Sequence, residues 1–173
     1  MSGGTAISSI IIDGYNLIGT QHGDLRKQRE ELIRQLIAYR KLKGHDITVV
    51  FDGWKSGGHK EDRSVTGGVQ VIYSRLGDRA DQVIKDLIGR QGKEWIVVTS
   101  DRDIADYAWS HGSVPVSSGL FLDRIMEKLS HAGSVSEQGR ELPEEDDDRS
   151  GRKGNAHRPS KRAKAIARAV GRL

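Results

Sequence analysis

Three short apolar runs in this chain each end on an aspartate: Ile10-Ile11-Ile12-Asp13, Val49-Val50-Phe51-Asp52 and Ile96-Val97-Val98-Thr99-Ser100-Asp101. A run rich in β-branched residues, closed by turn formers and followed by a helical period, reads as a buried parallel strand, so each Asp stands at a strand's carboxyl end. In open α/β sheets that edge is where ligands bind. Carboxylates gathered there repel one another and desolvate poorly unless a cation neutralises them, and hard divalent ions such as Mg²⁺ or Mn²⁺ prefer carboxylate oxygen. A lone Asp after a strand is more often a helix cap or a turn former. Three in one domain, with Asp81 as a fourth candidate, favour the metal reading.

The alternation around these runs organises the chain. A strand over 7–13 is followed by a turn at Gly14-Tyr15-Asn16. A helix over 24–43 carries Leu25, Leu32, Leu36 and Tyr39 on one stripe and ends at Gly44. Strands are expected over 46–52, 69–74, 95–99 and 114–116, with helices starting near Gly77-Asp78-Arg79 and over 103–111 and 120–129. The stretch 53–68 holds five glycines and Lys55, Lys60 and Arg63 without an apolar period. It reads as a basic loop above the strand ends. The whole is an α/β chain with a mostly parallel, doubly wound, five-stranded sheet in the order 3-2-1-4-5. That order brings the ends of strands one, two and four together.

Charge divides the chain at its far end. Residues 137–148 hold seven acids and one base, whereas 149–173 hold nine bases and no acid. The body before them is nearly neutral, so the sequence pI of about 9.4 belongs to the tail. A mean hydropathy of -0.57 is low for a compact globule and fits a tail outside the core. The expected organisation is a domain over 1–130 and a disordered tail over 131–173, acidic then basic. Within that tail, Ala163, Ile166, Val170 and Leu173 recur at helical spacing, so a short basic helix over 161–173 is expected to form on a partner. There is no cysteine, which excludes disulfides and thiolate zinc sites. No basic leader or membrane-length apolar run is visible, and a cytoplasmic protein without a membrane partner is expected.

The residue types at the strand ends define a chemistry. A carboxylate cluster holding one or two divalent ions suits phosphodiester hydrolysis, because the metal lowers the pKa of bound water and stabilises charge on the phosphate. Asp13 and Asn16 form an Asp-x-x-Asn pair, in which Asn16 either donates to phosphate, holds a carboxylate or simply makes the turn. Asp52 precedes Gly53, which permits a close approach. Asp81 is equally a first-turn acid complementing its helix dipole. Asp103 reads as a cap of the next helix, and Ser100 or Thr99 as a phosphate contact. Histidine spacings for zinc hydrolases, a Gly-x-Ser-x-Gly elbow and the phosphate-binding Gly-x-x-x-x-Gly-Lys-Ser/Thr loop are all missing from the sequence.

The segments Ile-Ile-Ile-Asp13-Gly-Tyr-Asn16-Leu-Ile, Val-Val-Phe-Asp52-Gly, Ala80-Asp81-Gln-Val-Ile and Val-Thr-Ser-Asp101-Arg-Asp103 together resemble the NYN domain nucleases of the YacP type, in the PIN-like superfamily. The resemblance spans about residues 7–129. It implies a PIN-like three-layer fold and a Mg²⁺- or Mn²⁺-dependent endoribonuclease, with Asp13, Asp52, Asp81 and Asp101 at the acidic positions and Asp103 as a further ligand candidate. Some relatives work in translation-linked RNA decay, which adds the ribosome to RNA as a candidate partner. Arg29 matches a helix-one arginine of the family. Its place on the inward stripe sends it toward the carboxylates or a substrate phosphate, unless it merely snorkels at the helix edge.

Nucleic-acid contacts are expected from Arg29, Trp54, Lys55, Lys60, Arg63, Ser100 and Arg102, and from Arg152, Lys153, Lys161 and Arg162 in the basic tail. Nine bases without an acid should hold a phosphate backbone without sequence choice, and deletion of 149–173 should weaken binding. Trp54, beside Asp52, is the best stacking candidate, with Tyr15, Tyr73 and Trp109 behind it. The rival reading is a non-catalytic RNA-binding module of the same fold. A phosphatase using Asp13 as nucleophile fits less well, since Tyr15 stands where such enzymes place a second acid.

Overall fold

The computed structural model describes residues 7–19, 23–53, 61–90, 92–133 and 160–173. Strand β1 (Ser9–Asp13) runs directly into a one-turn helix α1 (Gly14–Ile18), where the sequence suggested only a turn. Helix α2 (Leu25–Lys43) starts on Asp24, whose side chain accepts from the Arg26 and Lys27 amides, and stops at Gly44 in the left-handed conformation. There follow β2 (Asp46–Phe51), β3 (Asp62–Thr66), β4 (Val69–Tyr73), α3 (Ala80–Arg90), β5 (Trp95–Val98), α4 (Arg102–Ser110), β6 (Val114–Val116), α5 (Ser118–Gly133) and α6 (Lys161–Arg172).

The sheet has six strands in the order β3-β4-β2-β1-β5-β6. Every pairing is parallel except β3 with β4. The five strands read from the sequence are β1, β2, β4, β5 and β6, and they stand in the expected 3-2-1-4-5 order. The sixth, β3, corrects the reading of 53–68 as loop throughout. All five of its residues are exposed, so it carries no apolar period. It is held instead by antiparallel pairing to β4 across a two-residue turn, Gly67-Gly68, with φ of 55° and 84°. Such a turn needs positive φ at both positions and suits glycine.

Strand alternation divides the core into two layers. Ile10, Ile12, Val49, Phe51, Val71 and Val98 face α1, α2, α5 and α6. Ile11, Val50, Ile72 and Val97 face α3 and α4. With helices on both sides, the central strands are apolar on both faces, which is why their sequences read as continuous runs.

The chain's far end differs from the expectation of a detached tail. Helix α5 continues to Gly133, and residues 134–159, including Arg152 and Lys153, lie outside the described residues. Helix α6 docks on the chain's own body. Ala169 and Leu173 are 0% and 1% exposed, with Ile166 and Val170 packed beside them. The Tyr39 hydroxyl donates to the Leu173 carbonyl oxygen at 2.7 Å, His45 Nε2 lies 3.1 Å from the Arg172 carbonyl oxygen, and Arg172 pairs with Glu94 at 2.9 Å. The amphipathic period was legible. The surface it covers comes from β6 and Tyr39 of α2, with His45 and Glu94 beside them, all remote in sequence, so its occupant was not.

Candidate active site

The acidic residues arrive at the carboxyl edge from four elements. Asp13 is the last residue of β1, Asp52 follows β2 directly, Asp101 is the N-cap of α4, and Asp81 lies in the first turn of α3. By alternation Asp13 and Asp52 share the parity of Ile11 and Val50, so they leave the edge on the side of α3 and α4. The topology therefore gathers acids that lie 88 positions apart in the chain.

Asp13 stands out among them. It is only 8% exposed and precedes α1, yet its side chain makes no capping bond to that helix. Burial pushes its carboxyl above the usual range; hydrogen bonds from Asn16 pull it back, and the charges of Asp52 and Asp101 push it up again. Of the roles open to Asn16, the fold selects one. Its Nδ2 donates to Asp13 Oδ2 at 2.6 Å and holds the carboxylate in place.

The other acids combine structural duty with spare acceptors. Asp52 Oδ1 accepts from the Ala80 amide at 2.7 Å and so caps α3 from across the edge, beside Asp81. Asp101 Oδ1 accepts from the Asp103 and Ile104 amides at 2.8 and 3.4 Å. Among the described residues, Oδ2 of Asp52 and Oδ2 of Asp101 receive no hydrogen bond. Asp81 Oδ1 is buried with no hydrogen-bond partner among the described residues. A cation would satisfy such oxygens, and their chemistry suits Mg²⁺ or Mn²⁺. As the side chains lie, no three acidic or imidazole groups among the described residues close around one point. The set is open rather than a cage, which accords with an ion that keeps several waters and uses one or two carboxylates.

Glycines shape this edge. A Cβ on Gly53 would sit 1.6 Å from the Ser74 carbonyl oxygen, so the close approach permitted after Asp52 is to backbone. The Gly53 amide donates to Ser74 Oγ at 3.0 Å. A Cβ on Gly14 would meet the Phe51 ring at 2.3 Å.

The remaining candidates are scattered. Asp103 has a 90% exposed side chain and lies 3.5 Å from Lys85, one turn beyond Asp81 on α3. Ser100 and Arg102 line a cavity of about 310 Å³ with Thr99, Asp101 and Ser117, beside the acids. Arg63 is on the edge strand β3, paired with Glu61. Lys161 and Arg162 are exposed at the start of α6, Arg162 over the Trp109 ring at 5.3 Å. Trp54, Lys55 and Lys60 lie outside the described residues. Arg29 does not reach the carboxylates; its Nη1 donates to the Tyr15 hydroxyl at 3.0 Å on the α2 side of the sheet. Lys85 escaped the sequence reading, although its spacing of four from Asp81 is a signal for a shared helix face.

The fold has counterparts among known proteins. The crystal structure of Rae1 (YacP) from Bacillus subtilis superposes with a TM-score of 0.60 at 24% identity, covering 73% of this chain and 78% of that one. A point mutant of the same protein gives 0.57 at 22% identity, covering 77% and 86%. No curated protein sequence matches the chain. The YacP-like NYN domain matches residues 10–160, which include all four edge aspartates. With that match over most of its length, the chain belongs to the YacP-like NYN domain family, a nuclease-like group of PIN-like fold.

Proposed function

We propose that this protein is a metal-dependent endoribonuclease that hydrolyses RNA phosphodiester bonds, with Mg²⁺ or Mn²⁺ taken up at the edge that Asp13, Asp52, Asp81 and Asp101 line, by one or two of these carboxylates and water. The observation that carries this reading is Asp13: a carboxylate buried at a strand end beside Asp52 and Asp101, and destabilised in its charged form by burial and by those two charges. The bonds from Asn16 meet only part of the cost of a charge there, and a cation offsets more of it. When bound, the ion supplies a more acidic water and neutralises charge developing on the phosphate. The side chains do the positioning. Asn16 fixes the Asp13 carboxylate, and Asp52 ties the end of β2 to the start of α3, which sets Asp81 against the edge. Ser100 and Arg102 line the adjoining cavity, and in this reading they would meet a flanking phosphate.

The basic face of α6 supplies sequence-independent affinity for the RNA backbone, through Lys161, Arg162, Lys164 and Arg168. An RNA enzyme of this kind acts in the cytoplasm, with the ribosome as a candidate partner. A second reading, a non-catalytic RNA-binding module, is favoured by one observation: Asp52 and Asp101 already serve as helix caps. Cleavage of a labelled single-stranded RNA by the intact protein and by Asp13→Asn, each in Mn²⁺, Mg²⁺ or EDTA, separates the two. Metal-dependent cleavage that falls at least about a hundredfold in the variant supports the nuclease. Binding without cleavage in every condition supports the module.

A further inference from the structure

The α2 side of the same edge carries a second group of side chains. Phe51 and Tyr73, adjacent in register at the ends of β2 and β4, stack with centroids 5.5 Å apart and planes at 24°. Tyr15 meets Phe51 edge-on at 5.3 Å, a contact that the missing Cβ of Gly14 makes possible. Over Tyr73, at 5.8 Å, lies the guanidinium of Arg29, whose Nη1 donates to the Tyr15 hydroxyl. Phe51 is fully buried, whereas Tyr15, Tyr73 and Arg29 are each partly exposed.

The arginines of α2 divide by partner among the described residues: Arg26 and Arg34 pair with acids, whereas Arg29 and Arg40 do not. Arg26, Arg34, Arg63, Arg75, Arg90 and Arg124 each lie on a nearby acid. Arg29 has no carboxylate partner among the described residues and is held by two aromatic rings instead. A partly buried guanidinium fixed in direction by a phenol, with no ion pair among the described residues, is preorganised for an anion from outside. The plane of a guanidinium and the face of a tyrosine also accept a nucleobase.

We propose that Arg29, Tyr15 and Tyr73 form the seat for one unpaired nucleotide flanking the scissile bond, Arg29 taking its phosphate and the tyrosine-guanidinium stack taking its base. This rests on the nuclease reading for the identity of the strand. The acids leave the edge toward α3 and α4, and the seat lies toward α2, so the strand crosses the sheet's rim with the reacting phosphate on one side and the gripped nucleotide on the other. A duplex cannot offer an unstacked base to the seat, so the seat selects single strands.

The test uses the full chain with fluorescent single-stranded RNA and a duplex of the same sequence. Binding is read by anisotropy in the Asp13→Asn background, and cleavage with Mn²⁺ in the otherwise unmodified chain. Arg29→Ala and Tyr73→Leu are each expected to weaken single-strand binding about tenfold, leave duplex binding within about twofold, and raise KM more than they lower kcat. Arg29→Lys, which keeps the charge but not the planar fork, restores only part of the loss. Equal losses on single strand and duplex, or no loss, overturn the seat, with a thermal melt to identify variants that fail to fold. Single-strand binding that depends on Arg29 in a protein that never cleaves overturns the nuclease and leaves the seat standing. Cleavage indifferent to Arg29 does the reverse.

Discussion

Asp13 concentrates the conflict between stability and chemistry. Its carboxyl titrates above 3.8 in the fold, so the folded chain binds the proton more tightly than the unfolded chain. Stability from this group therefore falls as pH rises from 3.8 through the raised value, and the penalty is complete above it. In EDTA at neutral pH, Asp13→Asn should melt higher than the parent. Mn²⁺ should raise the melting temperature of the parent and leave that of the variant nearly unchanged; an equal rise in both would remove Asp13 from the ion's ligands. Gly53 makes the opposite kind of prediction. A methyl group there meets backbone oxygen, which cannot swing aside, so Gly53→Ala should cost about 3 kcal/mol and lower the melting point by about 10 °C. An unchanged melt would mean that the turn after β2 relaxes freely. The aspartates themselves were legible because each closes a hydrophobic run. The cap that Asp52 makes for Ala80, 28 positions away, was not, since no local pattern records a bond across the sheet's edge.

Strands and helices were readable to the degree that burial imposed a period on them. β1, β2 and β5, apolar on both faces, announce themselves, and β6 is found at 114–116, the bounds expected of it. β3 has no buried face and is known only through its partner. α6 was recognised as amphipathic, but its apolar stripe was assigned to another molecule, whereas Tyr39, His45 and Glu94 of the same chain receive its end. That changes how the basic region is tested. Deleting 149–173 strips a packed helix from the core and confounds binding with folding. Reversing Lys161, Lys164 and Arg168 to Glu touches only exposed positions, so the melt should shift by no more than about 5 °C. RNA affinity should fall, and the slope of log affinity against log salt should shrink by about 2. An unchanged slope would show that α6 is a structural brace and nothing more.

Across the molecule, the docking of α6 ties stability to pH through His45. The ring is buried; its Nδ1 accepts from the Ser8 amide and its Nε2 faces the Arg172 carbonyl, an arrangement that requires the neutral form. Burial lowers its pKa below 6.5; Lys43 and Arg172 add to the lowering, while the bond to the Arg172 carbonyl and Asp46 oppose it. Its contribution is thus present in full above about 6.5 and lost as pH falls toward the lowered value. Protection of the α6 amides, corrected for the intrinsic exchange rate, should fall between about pH 7 and about pH 5 before that of β1 or β5 does. A simultaneous loss of protection everywhere would uncouple His45 from the helix. Among the described residues no helix is long and apolar enough to cross a membrane. Local periodicity was written in the chain itself: which runs are strands buried on two faces, where they end, and that an acid stands at each of those ends. The parallel order was already implied by connectivity. Folding was needed to settle which oxygens at the edge are consumed as caps, that Arg29 turns to two tyrosines rather than to the acids, and that the last helix folds back on its own chain. Those outcomes depend on contacts between residues far apart in sequence, whose energies are set by three-dimensional proximity and leave no local period behind.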